Sequence, residues 1–511
     1  MGENATRREF LKYAGLAGMG GAGLGFGGFE FLGKLPPVSA QDVTVNPKLV
    51  RLDAGIEPLV RLIEDTPQSD LLEKVAQQIR QGTTYQEVVS ALFLAGIRNV
   101  PPRPTVGFKF HAVLVVQAAH AASIASPDSD RWLPIFWALN EFKESQAEEM
   151  ASTAWRMAPV DESTVPAPHN AKKAFIDAMD NWDEKKADGA VAGLARSASA
   201  NEIYELFFRF GARDYRSLGH KAIFVANSWR ALEFIGWQHA EPVLRSLAFA
   251  LLNHDLKGTT PALSDDVNDR PWRRNQQLAA NIGPSWMSGK LDDAATREML
   301  AVLRQGTNNE ACDKAVELIG RGVSTQSIWD GLFTAAGELM IRQPSVPTLH
   351  TVTSTNALRY AFQASGDETT RKLMLLQTCA FVPMFRAAQR GKIEDLRVED
   401  LKPIATKDSS SALDEIFADV SKDHVSAAGK VLHYLANGGT IRNLMTAARR
   451  LIFVKGTDAH DYKFSGAVLE DYFNMSPAWR DQFFATSVFY LKGSGDKDNT
   501  VVDRTRAALK G

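Results

Sequence analysis

The stretch Leu72-Glu73-Lys74-Val75-Ala76-Gln77-Gln78-Ile79, followed after a Gly82 break by Val88-Val89-Ser90-Ala91-Leu92-Phe93-Leu94-Ala95-Gly96-Ile97, decides the fold class. Its apolar residues recur at three- and four-residue spacing, the period of a helix that buries one side. The same spacing runs through Leu59–Ile63, Ala112–Ala122, Leu133–Phe142, Ile223–Phe234, Val243–Leu252 and Met299–Leu303. Strand-like alternation bounded by turn pairs is nearly absent, so the chain is predicted to be all-α. Polar, Pro- or Gly-bearing breaks at Asn99–Pro104, Pro159–Asn170, Lys257–Arg270 and Lys402–Ser411 are predicted helix connections. The small-residue-rich stretch Asn181–Ser199 is predicted to be an exposed insertion.

The opening stretch also recurs. At an offset of 240, Lys74, Ile79, Gly82, Gln86, Leu92, Phe93 and Ala95 meet Lys314, Ile319, Gly322, Gln326, Leu332, Phe333 and Ala335. One deletion later His111 meets His350, and at an offset of 204 His220 meets His424, Arg245 meets Arg449 and Phe249 meets Phe453. Two residues further out of register, His254-Asp255 meets His460-Asp461. Self-similarity at a long period predicts an internal duplication, two related helical halves about a pseudo-twofold axis. The expected division is residues 41–275 and 276–511, with the junction near Asp265–Lys290.

Residues 1–40 read as an address. Thr6-Arg7-Arg8-Glu9-Phe10-Leu11-Lys12 matches the twin-arginine export consensus, followed by a weakly apolar Gly/Ala run from Ala14 to Gly33 and by Pro36-Pro37-Val38-Ser39-Ala40. Cleavage after Ala40 is expected, which makes the translocation machinery a partner and the periplasm or exterior the destination. No later segment has about 18 uninterrupted apolar residues, so the mature chain is expected to carry no stable membrane anchor. That export route carries folded proteins, often with a cofactor already installed.

Composition narrows the chemistry. Among 511 residues, 45% are hydrophobic and 23% charged, which fits a compact folded protein. The 58 basic and 60 acidic side chains leave a net charge of −2 and no broad cationic field for nucleic acid. Two cysteines, Cys312 and Cys379, exclude a disulfide framework, a thiolate zinc or iron–sulfur site and covalent c-type haem; at most they form one bridge. No His-Glu-x-x-His, Gly-x-Ser-x-Gly or phosphate-cradling loop stands in a convincing context.

Three histidines of each half fall at matched positions in this alignment: His111, His220 and His254, then His350, His424 and His460. Turned inward, six imidazoles would meet at the seam between the halves. An all-nitrogen donor set with few thiols suits copper, iron, zinc or haem, with Asp255 and Asp461 as added ligands or orienting groups. The bland reading is that the six cap helices or fill hydrogen-bonded core positions. His120, nine residues beyond His111, falls on nearly the opposite helix face, as His433 does relative to His424. His239 reads as a turn residue and His169 as a loop residue. Aromatic clusters at Trp132–Phe142, Tyr204–Phe210 and Phe224–Trp237 read as core, or alternatively as an apolar cavity with Arg103, Arg230 or Arg342 at its mouth.

Three segments carry a family resemblance. Gly219-His220-Lys221-Ala222-Ile223-Phe224-Val225-Ala226-Asn227 through Phe249, Leu349-His350-Thr351-Val352-Thr353-Ser354, and Asp423-His424-Val425 resemble the His-centred segments of questin oxidase-like proteins. The resemblance implies an all-α, histidine-studded oxygenase that inserts oxygen next to a ketone of an anthraquinone with a reduced nicotinamide, NADPH, as donor. It implies His220, His350 and His424 as catalytic positions, with His111 and His254 matching less well. An export signal and the lack of a dinucleotide motif depart from that pattern and argue against free nicotinamide as the donor.

The leading expectation is an exported oxidoreductase that oxygenates a carbonyl-containing or phenolic small organic substrate at a His-lined interior site, where the histidines either hold a redox metal, iron or copper, or haem, or act as general base and oxyanion stabiliser. The alternatives are a hydrolase or lyase using His/Asp pairs, and a non-catalytic periplasmic helical binding protein.

Overall fold

The computed structural model describes residues 47–103, 108–408 and 410–510, the side chains of 108–111 excepted. The export signal at 1–40 lies outside the described residues. The chain is all-α: 71% is helical, in 22 α-helices, with no sheet among the described residues.

Ten helices occupy the N-terminal part: α1 (Glu57–Asp65), α2 (Gln68–Arg80), α3 (Tyr85–Asn99), α4 (Phe108–Ile124), α5 (Leu133–Ser152), α6 (Pro168–Asp180), α7 (Glu184–Ser197), α8 (Ala200–Ala212), α9 (His220–Ile235) and α10 (Ala240–Leu251). A bridging helix, α11 (Arg270–Asn281), follows. The C-terminal part holds α12 (Asp293–Gln305), α13 (Asn308–Gly320), α14 (Thr325–Arg342), α15 (Val346–Ala364), α16 (Glu368–Ala388), α17 (Ala412–Val420), α18 (His424–Ala436), α19 (Ile441–Lys455), α20 (Ala459–Asn474), α21 (Pro477–Ser487) and α22 (Val501–Lys510).

Local chemistry sets the helix ends. Gly82 and Gly322 both adopt positive φ, +108° and +80°. Each closes the preceding helix with the same pair of bonds: Gly82 N–H to Ile79 and Thr83 N–H to Gln78, then Gly322 N–H to Ile319 and Val323 N–H to Leu318. Thr84 then caps α3, its hydroxyl accepting from Glu87 N–H while the Glu87 carboxylate accepts from Thr84 N–H. Helices α3 and α14 are buried on every side along most of their length, so they form the core rather than an amphipathic surface. Arg98 on α3 is 1% exposed, and it is held by Glu57 at 2.8 Å and by both oxygens of Glu64 at 2.7 Å.

Packing partners recur along the chain. Helix α1 packs on α3 as α12 does on α14, α4 on α5 as α15 on α16, and α8 on α9 as α19 on α20. In this order the place of α9 is taken by α20, which carries His460 in its first turn, and not by α18, which opens on His424. At the uninterrupted offset of 240, His220 meets His460.

One expectation changes. Asn181–Ser199 is not an exposed insertion, because it contains α7, which buries Ala187, Ala190, Val191 and Leu194 against α6 and α10. Its small residues permit close approach: a Cβ on Gly189 would lie 2.3 Å from Thr164 Oγ1. The expected junction at 275/276 falls inside α11, which packs on α16. Cys312 and Cys379 are buried free thiols.

Four helices position the candidate site. Helix α4 packs on α9, α9 on α15, α15 on α20 and α20 back on α4, closing a ring with two members from each half. Each carries a histidine in its first turn or just beyond: His111, His220, His350 and His460. Among the described residues no helix is long and apolar enough to cross a membrane.

Candidate functional site

The turn that delivers His220 is strained. Ser217, Leu218 and Gly219 are three consecutive residues at positive φ, +59°, +51° and +74°. L-residues avoid that region at a cost of roughly 1–2 kcal/mol each, and such conformations persist only where the surroundings over-determine them. Here a buried ionic network does so. Asp214 accepts Arg216 N–H at 3.0 Å and the Lys221 ammonium at 2.7 Å, and the Arg216 guanidinium grips Asp269 with two bonds of 2.6 and 2.8 Å. Burial pushes Lys221 down to about 8 against the pull of Asp214.

His220 Nδ1 lies 2.5 Å from the Ser217 carbonyl oxygen, and His350 Nδ1 lies 2.7 Å from that of Val346. A carbonyl only accepts, so both Nδ1 atoms carry the proton and both Nε2 atoms present lone pairs. Those two Nε2 atoms face each other at 3.1 Å. The rings are 1% and 0% exposed. The third imidazole, His460, stands edge-on to His350 with ring centres 5.2 Å apart. Its Nδ1 donates to Asp458 at 2.6 Å. Burial first, then the neighbouring His220, Lys463 and His460, hold His350 well below the usual imidazole range.

The sequence-predicted residues thus divide. His220, His350 and His460 come together, and His111 is on the adjoining helix α4 with its side chain outside the described residues. His254 and His424 do not join them, so six imidazoles do not converge. His254 stands edge-on to Trp182, ring centres 5.4 Å apart, near the Arg216–Lys221 network. His424 lies against Phe489 beside the cap residue Asp423 of α18. Neither expected His/Asp pair forms: Asp255 approaches Arg216 at 3.8 Å, and Asp461 accepts from Thr457 N–H and Lys492, leaving Asp458 as the carboxylate on His460. His120 is buried against Phe234 and bonded to the Tyr85 hydroxyl.

One helical turn beyond the imidazoles, the same four helices and Arg449 of α19 line a partly open cavity of about 300 Å³. Ile223, Thr353 and Lys463 line it, each three residues after its helix's histidine. Arg230, expected at a cavity mouth, lies on its wall and pairs with Glu470 at 2.7 Å. Arg103 instead ion-pairs with Glu184, and Arg342 bonds the Glu394 carbonyl. Lys463 and Arg449, also on the wall, were not singled out by sequence.

Two opposed Nε2 lone pairs repel unless a proton or a cation lies between them. Metal–imidazole bonds of about 2.0–2.1 Å, meeting at angles from about 100° to tetrahedral, place the two nitrogens about 3.1–3.4 Å apart, which matches. Nδ1 atoms fixed by carbonyls and a carboxylate are the usual orienting partners of metal-binding imidazoles. Among the described residues, however, no group of three or more His, Cys, Asp or Glu side chains is spaced as a preformed metal cage.

No known protein-family model matches the chain. Neither a curated protein nor a solved structure matches it.

Proposed function

We propose that His220, His350 and His460 bind a transition metal, iron or copper, and that the protein is an exported oxidoreductase acting on a carbonyl-containing or phenolic organic molecule in the adjoining cavity. The observation that carries this reading is the 3.1 Å contact between two Nε2 atoms whose Nδ1 atoms are both committed to backbone carbonyls. Burial disfavours the alternative of a shared proton, because it would place an imidazolium in a low-dielectric interior. The strained Ser217–Gly219 turn supports the reading, since such strain gathers at functional sites. The likeness to questin oxidase-like proteins supplies the reaction class, oxygen insertion beside a ketone. In that chemistry the Asp458 carboxylate, bonded to Nδ1 of His460, would orient that ring toward the metal. The recurring packing order, the shared glycine turn and the 240-residue offset support reading the halves as one duplicated unit.

A non-redox hydrolase or lyase is the second reading, favoured by the Asp458–His460 contact of 2.6 Å as an acid/base dyad. Elemental analysis by mass spectrometry, on protein exported by its own signal and purified without a chelating resin, separates the two. The metal reading expects about one iron or copper per chain, lost in His220→Ala and His350→Ala while helicity by circular dichroism is kept. Folded wild-type protein devoid of either metal, and unable to take up either on incubation, overturns it.

A further inference from the structure

The cavity's charges do not balance. Lys463 is 4% exposed, lines the cavity, and its Nζ has no hydrogen-bond partner among the described residues. Asp458, whose negative charge reaches it, already accepts from the His460 ring and backbone. Arg449 of α19 lines the same space, and burial pulls its pKa down with no carboxylate nearby to offset the effect. The wall's own carboxylate, Glu470, is occupied by Arg230 at 2.7 Å and by the Asn356 amide at 2.9 Å. Lys463 and Arg449 therefore line a partly open pocket whose own carboxylate is taken by other groups, in a wall that combines Ala118, Ala122, Ile223, Ala357 and Leu469 with the polar Asn227, Thr353 and Ser465. Buried charge without a partner is costly, and pockets that combine apolar walls with a few convergent polar groups are the usual form of small-molecule sites.

We infer that this cavity binds a small organic carboxylate, its oxygens between Lys463 Nζ and the Arg449 guanidinium and its carbon body on the alanine-rich wall. A carboxylate supplies the missing acceptors for both cations, with charge-assisted bonds to each. The apolar wall excludes a bare inorganic anion as the fitted ligand, because such an ion leaves that surface uncovered. Held there, the molecule lies one helical turn from His220, His350 and His460. The inference names the substrate class of the proposed metal site and rests on that reading only for calling the bound anion a substrate.

Isothermal titration calorimetry with benzoate, benzamide and inorganic phosphate tests it on wild-type protein, Lys463→Met, Arg449→Gln and His350→Ala, each checked for folding by circular dichroism. Benzoate is expected to bind wild type at least tenfold more tightly than either benzamide or phosphate. Each of the two cation variants is expected to lose tenfold or more, and His350→Ala to retain binding. Arg449, half-buried at the wall, keeps the test decisive if Lys463→Met does not fold. Benzamide or phosphate binding as well as benzoate, no benzoate binding to folded wild type, or undiminished binding in the folded cation variants overturns the inference. Binding lost in His350→Ala but kept in Lys463→Met would mean that benzoate ligates the metal: the carboxylate assignment to Lys463 then fails while the metal reading stands. Retained binding in His350→Ala together with metal-free wild type would leave the anion site standing without the metal.

Discussion

His220 and His350, 130 residues apart in sequence, hold their Nε2 atoms 3.1 Å from each other. Each ring is locked by a backbone carbonyl three or four residues before it, so neither can turn its proton toward the other without breaking a buried hydrogen bond. The cation proposed between them would relieve the repulsion and tie the first half of the chain to the second.

Removal of that cation is expected to lower stability. A metal present at about 100 times its dissociation constant stabilises the native state by about 2.7 kcal/mol. Calorimetry on protein as purified, after treatment with EDTA, and after return of iron or copper should show the melting temperature fall by a few degrees and recover. His350→Ala protein should melt at one temperature in all three conditions.

Gly219 sits where α9 approaches α15. At φ +74° an added Cβ would lie 2.0 Å from Ser354 Oγ and 2.9 Å from Ser354 Cβ. Gly219→Ala is expected to cost about 2–4 kcal/mol, from the left-handed backbone and the overpacking together, and to reduce bound metal by parting His220 from His350. Adding Ser354→Gly should recover the packing share and leave the backbone share, as read by urea denaturation and metal content.

Arg98 joins α3 to α1 through Glu57 and Glu64. Arg98→Leu strands two carboxylates beside a buried apolar side chain, and unfolding experiments should show a loss of about 3–5 kcal/mol. Bound metal in the fraction that stays folded should be unchanged, because Glu57 and Glu64 lie on α1, which is not one of the four helices that carry the histidines.

His120 contributes a pH dependence of its own. Burial pushes its pKa down to about 4, below the value of about 6.5 in the unfolded chain. Between these values the unfolded state binds more protons, so stability rises with pH across that window and is lost as pH falls through it, by up to about 3 kcal/mol. Urea denaturation between pH 4 and pH 7 should show this slope in wild type and a shallower one in His120→Phe. A larger slope in the variant would mean that the ring is charged in the folded protein.

The helical class was legible because caps, glycine turns and three-four spacing are local: Gly82 and Gly322 act within their own turns. The register of the second half was less so. Asp423-His424 and Asp458-Ala459-His460 both look like helix starts, and only the long-range packing of α20 on α4 and α15 decides which histidine enters the ring. Asn181–Ser199 misled because its glycines and short polar residues read as a loop, whereas Gly189 lets its helix approach the backbone at Thr164 and the alanines favour helix. Lys463 and Arg449 were invisible as site residues, since a lysine or arginine on a helix ordinarily faces water and only the tertiary fold puts these at a cavity wall. The trio of His220, His350 and His460 was within the sequence-predicted set, but their meeting depends on contacts from three separate helices.

Anomalous diffraction from crystals of the protein, collected on both sides of the iron and copper edges, tests the central claim most directly. The account predicts a peak about 2.0–2.2 Å from Nε2 of both His220 and His350, present above one edge and absent below it. Density showing the two nitrogens in direct contact in metal-replete protein, with no anomalous scatterer between them, would contradict it.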